Sequence, residues 1–433
     1  MKKDKTKVNA AVQYFKLDSV YQKLFKDFKK KYESLGRVAG TVSLSTYSEE
    51  EKAVLAEFLG LRKDKLSEKN KVSLVQFEKQ LSTYRYGDID LHELLETYFN
   101  QVIMSNKQRA QNKLNEKDTF FSHLKNSYTS INEWVDYIDS KPINSYWIHR
   151  LIDESFERFE NYAKLLNKSI ESLPEKPVRL PVLAQQMTSN PHAFDRNEML
   201  GRLLIHLLAF KLGEEQNVPN TSEEISELLF SYNILRDDIT NFVTVANLLA
   251  RTDSPKDDLW HAASKTNSVL NIPIRELLYV RSLYPNTTKK EVWVVENSGI
   301  FSSLLDEVPS IPLICTHGQF KLAAWKTFDL LIESNCTLHY ASDLDPEGLG
   351  MAYRLLNRYP QHAKLWKMDT PSYRKSLSKN ETLSEARLNQ LLSIDHPQLQ
   401  DVKNEMMREK FPGYQEALLD EMVVELKKEM EAI

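Results

Sequence analysis

Two apolar runs end in acids. Val292-Trp293-Val294-Val295 leads into Glu296-Asn297-Ser298-Gly299, and Thr337-Leu338-His339-Tyr340-Ala341 leads into Ser342-Asp343-Leu344-Asp345-Pro346-Glu347-Gly348. In an open α/β sheet, ligands bind beyond the carboxyl ends of the strands. Glu296 can therefore meet Asp343 and Asp345 at one edge, although 47 positions separate Glu296 from Asp343. Gathered carboxylates repel one another unless a cation lies among them, and hard oxygen donors of this kind suit Mg²⁺ or Mn²⁺. Glu347 is either a further ligand or a first-turn acid favoured by the helix dipole. An Asp-x-Asp on its own is weak evidence, because Asp343 or Asp345 can equally cap a helix starting near Gly348. Three features favour a site: the apolar strand directly in front, a glycine that permits close backbone approach behind, and a second acid-ended strand in the same expected sheet.

Other candidates are basic or titratable. Arg236 and Lys321 are the expected phosphate contacts, with Asp237 or Asp238 assisting a metal or water; the plain alternative for 236–238 is a charged turn between helices. His317 and Gln319 follow another apolar run, Ile311-Pro312-Leu313-Ile314-Cys315. His317 is a proton-shuttle candidate, or a hydrogen-bonded loop histidine. His192 and Arg196 face either DNA or the protein's own interior, and the residues leave that open.

These side chains need a scaffold. From residue 289 the pattern alternates strand and helix: strand 292–296, helix 300–305, strand 311–315, helix 320–333, strand 336–342, helix 348–358 and a strand over 364–368. That alternation predicts a parallel sheet with right-handed crossovers. Upstream, apolar residues at helical spacing predict helices over 8–35 and most of 89–170, with short strands near 41–47 and 71–74. The aromatics of 98–162 read as packing residues rather than a base-stacking platform. Pro174, Pro177 and Pro181 interrupt helix formation. Helices are expected again over 198–212, 222–235 and 239–250, as a winged-helix-like middle module. The expected organisation is a mainly helical N-terminal arm (1–178), a middle DNA-binding module (179–286) and an α/β catalytic domain with C-terminal helices (287–433).

Composition narrows the class. The 433 residues suffice for several domains, and 41% hydrophobic with 27% charged residues is ordinary for a water-exposed globular chain. A net charge of −4 excludes a uniformly basic nucleic-acid binder. Residues 1–37 nevertheless carry ten Lys and one Arg against four acids, either a phosphate-touching segment or a solvated helix face. The two cysteines, Cys315 and Cys336, fall in or beside expected buried strands, which suits a reducing, cytoplasmic setting. A lysine-rich start without an apolar stretch argues against a signal peptide, and no apolar run reaches membrane-spanning length.

A Glu at the end of one strand, then Asp-x-Asp followed by Gly at the end of a later one, resembles the Toprim domain of topoisomerases, primases and some nucleases. Glu296 and Asp343-Leu344-Asp345 match that signature over about 289–375. Further segments resemble the JetD-type nuclease subunits of Wadjet anti-plasmid defence systems, relatives of the A subunit of type IIB topoisomerases. These are Gly36-Arg37-Val38-Ala39-Gly40-Thr41-Val42, Asn190-Pro191-His192-Ala193-Phe194-Asp195-Arg196, Leu235-Arg236-Asp237-Asp238, Thr316-His317-Gly318-Gln319 and Asp343 through Leu349. The resemblance implies a Toprim fold, Mg²⁺ or Mn²⁺ held by Glu296, Asp343 and Asp345, and cleavage of plasmid DNA. It also implies work beside an SMC-type ATPase motor with kleisin and accessory subunits, and a homodimer. Topoisomerases of this group carry a catalytic tyrosine in a segment for which Arg236-Asp237-Asp238-Ile239-Thr240 is the nearest counterpart, and no tyrosine ends it. Water is then the expected nucleophile and cleavage is hydrolytic. Two competing expectations are a non-catalytic DNA-binding or adaptor subunit, and a phosphoryl-transfer enzyme of the haloacid-dehalogenase class. That class places its Asp-x-Asp on the first strand, whereas here two expected strands precede it.

Overall fold

Apolar spacing and caps divide the chain into helices that pack as two compact units, one ending at Ser127 and one starting at Tyr128. The computed structural model describes residues 5–83, 89–252 and 256–431. Residues 1–4 of the basic N-terminal stretch lie outside the described residues.

In the first unit, the helical spacing over 8–35 becomes two helices, Lys5–Phe15 and Ser19–Leu35. They are separated at Asp18, whose side chain accepts the Val20 N–H at 3.0 Å. Thr41–Ser43 pairs antiparallel with Lys71–Ser73. Ser48 and Glu51 form a reciprocal capping box that starts the helix Glu49–Phe58. The core is aromatic: Phe15 meets Phe25 edge-on at 5.2 Å, and Phe25 meets Phe77 at 5.6 Å, the geometry that ring quadrupoles favour.

The second unit begins with helices, among them α1 (Met199–Lys211) and α2 (Ser222–Ser231). The helix expected over 239–250 is instead two strands. Phe242–Ala246 and Leu248–Thr252 turn at Asn247, which adopts φ 58°. Val243, Val245, Ala246 and Leu248 are all buried. A run apolar on both faces carries no period that distinguishes helix from strand.

Six strands form the main sheet: β1 (Phe242–Ala246), β2 (Val269–Pro273), β3 (Glu291–Val295), β4 (Leu313–Cys315), β5 (Thr337–Ala341) and β6 (Ala363–Leu365). Their order is β6-β5-β3-β4-β1-β2. The four strands from β6 to β4 are parallel, as expected, but β1 is antiparallel to β4 and β2 to β1. The sheet is therefore mixed rather than wholly parallel, and it draws on residues from both sides of position 286. Its parallel strands alternate with α3 (Ser298–Glu307), α4 (Leu322–Glu333) and α5 (Pro346–Arg358). One continuous apolar core runs from Leu235 to Leu426. Beyond the sheet lies α6 (Glu385–Gln390), followed by the helices Gln400–Glu409 and Leu419–Glu431. Cys315 and Cys336 are both buried free thiols. Among the described residues, no helix is long and apolar enough to cross a membrane.

The chain leaves β3 toward β4 on one side, returns past β3 to β5, and continues outward to β6. The connections after β3 and after β5 thus diverge. The gap between these two neighbours is the topological switch point, where open α/β sheets hold ligands.

His206 on α1 is 1% exposed and accepts a hydrogen bond from Trp134 Nε1 at 2.9 Å through Nδ1. Burial lowers its pKa to about 4, so folding favours the neutral ring. The stabilising contribution is complete above the unfolded value near 6.5 and is lost as pH falls toward 4. All six tryptophans lie in the second unit, so their fluorescence reports its unfolding. Urea unfolding followed this way should show about 2 kcal/mol less stability at pH 5 than at pH 7 from this group. His206→Gln, which keeps an acceptor but does not titrate, should flatten that part of the profile.

Candidate functional site

The ends of β3 and β5 build the site. Ala341 pairs with Val295, so Glu296 and Ser342-Asp343 leave the sheet side by side, one strand spacing (about 4.8 Å) apart. Asn297 caps α3 by accepting the Gly299 N–H at 2.7 Å. Asp345 caps α5 by accepting the Gly348 N–H at 2.7 Å, with Pro346 in the first turn. Gly348 is required by space: a Cβ there would overlap the Asp343 carbonyl oxygen and Ser342 Oγ. The acid loop is also gripped from the C-terminal side. Leu344 and Gly413 exchange backbone hydrogen bonds of 2.8 and 2.9 Å, and Asp343 Oδ1 accepts the Gln415 N–H at 2.9 Å.

The electrostatics are those of crowded carboxylates. Burial, then the charges of Asp343, Asp345 and Glu347, raises Glu296 to about 7. Burial raises Asp343 as well, against the hydrogen bond from Gln415 and with the neighbouring Glu416 adding to it. Asp345 rises to about 6, chiefly by burial. Glu347 goes the other way: burial pushes it up, but hydrogen bonds and charge from Arg387 outweigh that and lower it. Arg387, on α6, is the counter-ion. Its guanidinium donates to Asp345 Oδ2 at 2.6 Å and Glu347 Oε2 at 2.6 Å, and lies 3.6 Å from Glu381. Nothing in the sequence flags Arg387. It is one arginine on a charged helix, 40 positions beyond Glu347.

The four acids therefore share one edge closely enough to perturb one another, but they do not form a finished metal cage. Among the described residues, no group of three or more His, Cys, Asp or Glu side chains is arranged to hold a metal ion. The reason is local. Asp345 serves its helix and Arg387, Glu347 is held by Arg387, and Asp343 faces a backbone N–H. The donor set still fits a hard divalent cation: four carboxylates at a half-buried edge leave Glu296 strained toward protonation. Beside them Gln415 is 2% exposed, and neither its side-chain nitrogen nor its oxygen has a hydrogen-bond partner among the described residues.

His317 does not stand free. Its Nε2 meets Thr244 Oγ1 at 2.6 Å, and that hydroxyl donates to Asn271 Oδ1 at 2.6 Å, which leaves Nε2 as the donor to threonine. Burial, with a contribution from Lys321, lowers its pKa. It ties β4 to β1, the hydrogen-bonded alternative. Asp238 is buried and paired with Arg179 and Arg275, so it holds structure. Asp237 accepts the Ile239 and Thr240 N–H groups at 2.8 and 2.9 Å. Arg236 and Lys321, 85 positions apart, line one cavity of about 370 Å³ together with Thr240 and Asn241. Arg236 bonds the Ser222 carbonyl and hydroxyl, both at 2.9 Å. Because β1 starts at the edge where β4 ends, this cavity opens on the same sheet edge as the acids.

Residues 38–250 match the family model described as protein of unknown function N-terminus (DUF3323), and residues 270–426 match that described as protein of unknown function C-terminus (DUF2399). The chain carries a DUF3323 segment followed by a DUF2399 segment. No curated protein matches it. All four acids, Arg387, Gly413 and Gln415 belong to the DUF2399 segment, whereas the basic cavity is shared: Arg236 comes from DUF3323 and Lys321 from DUF2399.

Two glycines of α5 separate packing from propensity. Gly348→Ala must move the acid loop and should lower stability by about 1–3 kcal/mol. Gly350→Ala meets nothing within 4 Å and should be stabilising by roughly 0.5–1 kcal/mol. Thermal melts of the two variants give the comparison.

Proposed function

We propose that this chain is a metal-dependent DNA endonuclease subunit with a Toprim-like catalytic half, hydrolysing phosphodiester bonds. The observation that carries the reading is the placement of Glu296 and Asp343-Leu344-Asp345 on the two strand ends that flank the switch point of the sheet. The DUF3323–DUF2399 order is the architecture of JetD/Wadjet-type proteins, which supports the same reading. Duplex plasmid DNA is then the substrate, an SMC-type motor with kleisin and accessory subunits the partner, and a homodimer the form that cuts both strands.

Glu296, Asp343 and Asp345 would hold Mg²⁺ or Mn²⁺, with Glu347 as a further donor. Such a cation stabilises charge on the scissile phosphate and acidifies an attacking water. The chain's own groups do the rest. Arg236 and Lys321 hold backbone phosphates at the neighbouring cavity. Gly413 and Gln415 fix the acid loop, and Glu296 can hold or release a proton near neutral pH. Water is the nucleophile, because the segment Arg236 to Thr240 supplies no tyrosine.

Asp343→Asn should cut plasmid cleavage by the complete complex about 100-fold or more, with an unchanged circular-dichroism spectrum. Normal cleavage by that variant removes the site assignment. A covalent protein–DNA adduct after reaction would replace hydrolysis with strand transfer.

One observation favours a second reading, a non-catalytic DNA-binding or adaptor subunit: Arg387 already neutralises Asp345 and Glu347. The two separate in a thermal-shift titration. If the acids bind cations, Mn²⁺ should raise the melting temperature of the wild type. It should raise that of Arg387→Ala by more, and leave Asp343→Asn unmoved. An adaptor with purely structural acids shows no shift in any of the three.

A further inference from the structure

The basic cavity is not isolated. A second cavity of about 410 Å³ shares Leu180, Asp195 and Arg236 with it, and a third of about 500 Å³ shares Arg196, Asn197 and Ile205 with the second. The three form one groove, from Lys321 at the sheet edge past the turn 190–196 to Trp147 and Arg202. The turn is seated firmly. Phe194 is buried, and Gly201 on α1 lets it approach so closely that a Cβ there would overlap the Phe194 and Asp195 carbonyls.

The groove's charges are unbalanced toward its far end. Among the described residues, none of Lys321, Arg236, Arg196 and Arg202 has a carboxylate within ion-pair distance. Arg236 is bonded to serine oxygens, Lys321 lies over the Phe242 ring at 5.4 Å, and Arg202 lies over the Trp147 ring at 4.6 Å. By contrast, Arg179, Arg358, Arg374 and Arg387 are all salt-bridged. Asp195, Glu223 and Asp237 face the first cavity, the second holds Asp195 alone among acids, and the third holds none. Cations strung along a groove, half-buried at Lys321 and Arg236 and exposed at Arg196 and Arg202, suit a ligand whose negative charges are strung as well. A nucleic-acid strand carries one phosphate for about every 3.4 Å of rise.

We infer that Arg196 and Arg202 extend the Arg236–Lys321 cavity into a track for the phosphodiester backbone of duplex DNA. The track ends two strand positions, roughly 10 Å, from Glu296. Its direction toward the acids rests on the nuclease reading, but its existence does not.

The test is binding of a fluorescent DNA duplex of about three helical turns to the full chain, by anisotropy in EDTA, over a range of salt. Arg196→Ala/Arg202→Ala should weaken binding about tenfold or more at low salt and reduce the slope of log K against log salt by about 1.8, since each phosphate contact contributes about 0.9. Arg196→Lys/Arg202→Lys should restore the slope, because the charges return without the guanidinium planes. Lys164→Ala/Lys168→Ala, a charge-matched control on an exposed face of another helix, should behave as wild type. Melting curves report folding of each variant. The inference is overturned if wild type does not bind, or if the alanine pair keeps the wild-type affinity and slope. Cleavage is silent under these conditions, so the two readings fail separately. Groove-dependent binding by a complex that never cuts sinks the nuclease alone, and cutting by a complex whose groove variant binds normally sinks the track alone.

Discussion

Carboxylate repulsion at the switch point is the constraint around which the second unit is arranged. Two neighbouring parallel strands deliver their acids within one strand spacing of each other, at a half-buried edge where water screens them poorly. Three of the acids are restrained by local partners. Asp345 is spent on a helix N-terminus, Asp343 on a backbone N–H, and Glu347 on a guanidinium. Glu296 has none of these except a backbone contribution from Asp343, and it absorbs the remaining strain as a pKa near 7. The C-terminal third of the chain supplies most of the restraint, through Arg387, Gly413 and Gln415. These residues restrain the acids through a guanidinium and through backbone hydrogen bonds.

Much of this scaffold was legible because its signals are local. β3 and β5 are short apolar runs bounded by polar turn residues, and the helices between them carry ordinary caps. The acids could be placed on one edge because parallel strands all end on the same side. Two things were hidden, for different reasons. Strand β1 is buried on both faces, so Val243, Val245 and Ala246 read as well on a helix as on a strand. Arg387 was hidden because a counter-ion is defined only by the fold: its partners Glu347 and Asp345 lie 40 and 42 positions upstream, and its neighbours Ala386 and Leu388 on α6 carry no charge. The same applies to Gln415, whose backbone N–H matters and whose side chain gives no hint of it.

The edge also divides by charge. Glu296 and Asp343 stand at the ends of β3 and β5, while Lys321 and Arg236 flank the start of β1 beyond β4. The end of β4 and the start of β1, tied together by His317 and Thr244, separate the two halves. A hydrogen-bonded pair of strand termini thus stands between the four carboxylates and the two cations.

The Gly413 bridge bears on synthesis. The chain is made from its N-terminus, and Leu344 leaves the ribosome nearly 70 residues ahead of Gly413. Until Gly413, Gln415 and Arg387 have emerged, the acid loop has neither its backbone clamp nor its counter-ion. The clamp of the acidic edge is therefore the last part of it to be made, and a chain interrupted before residue 413 carries all four acids without Gly413 and Gln415.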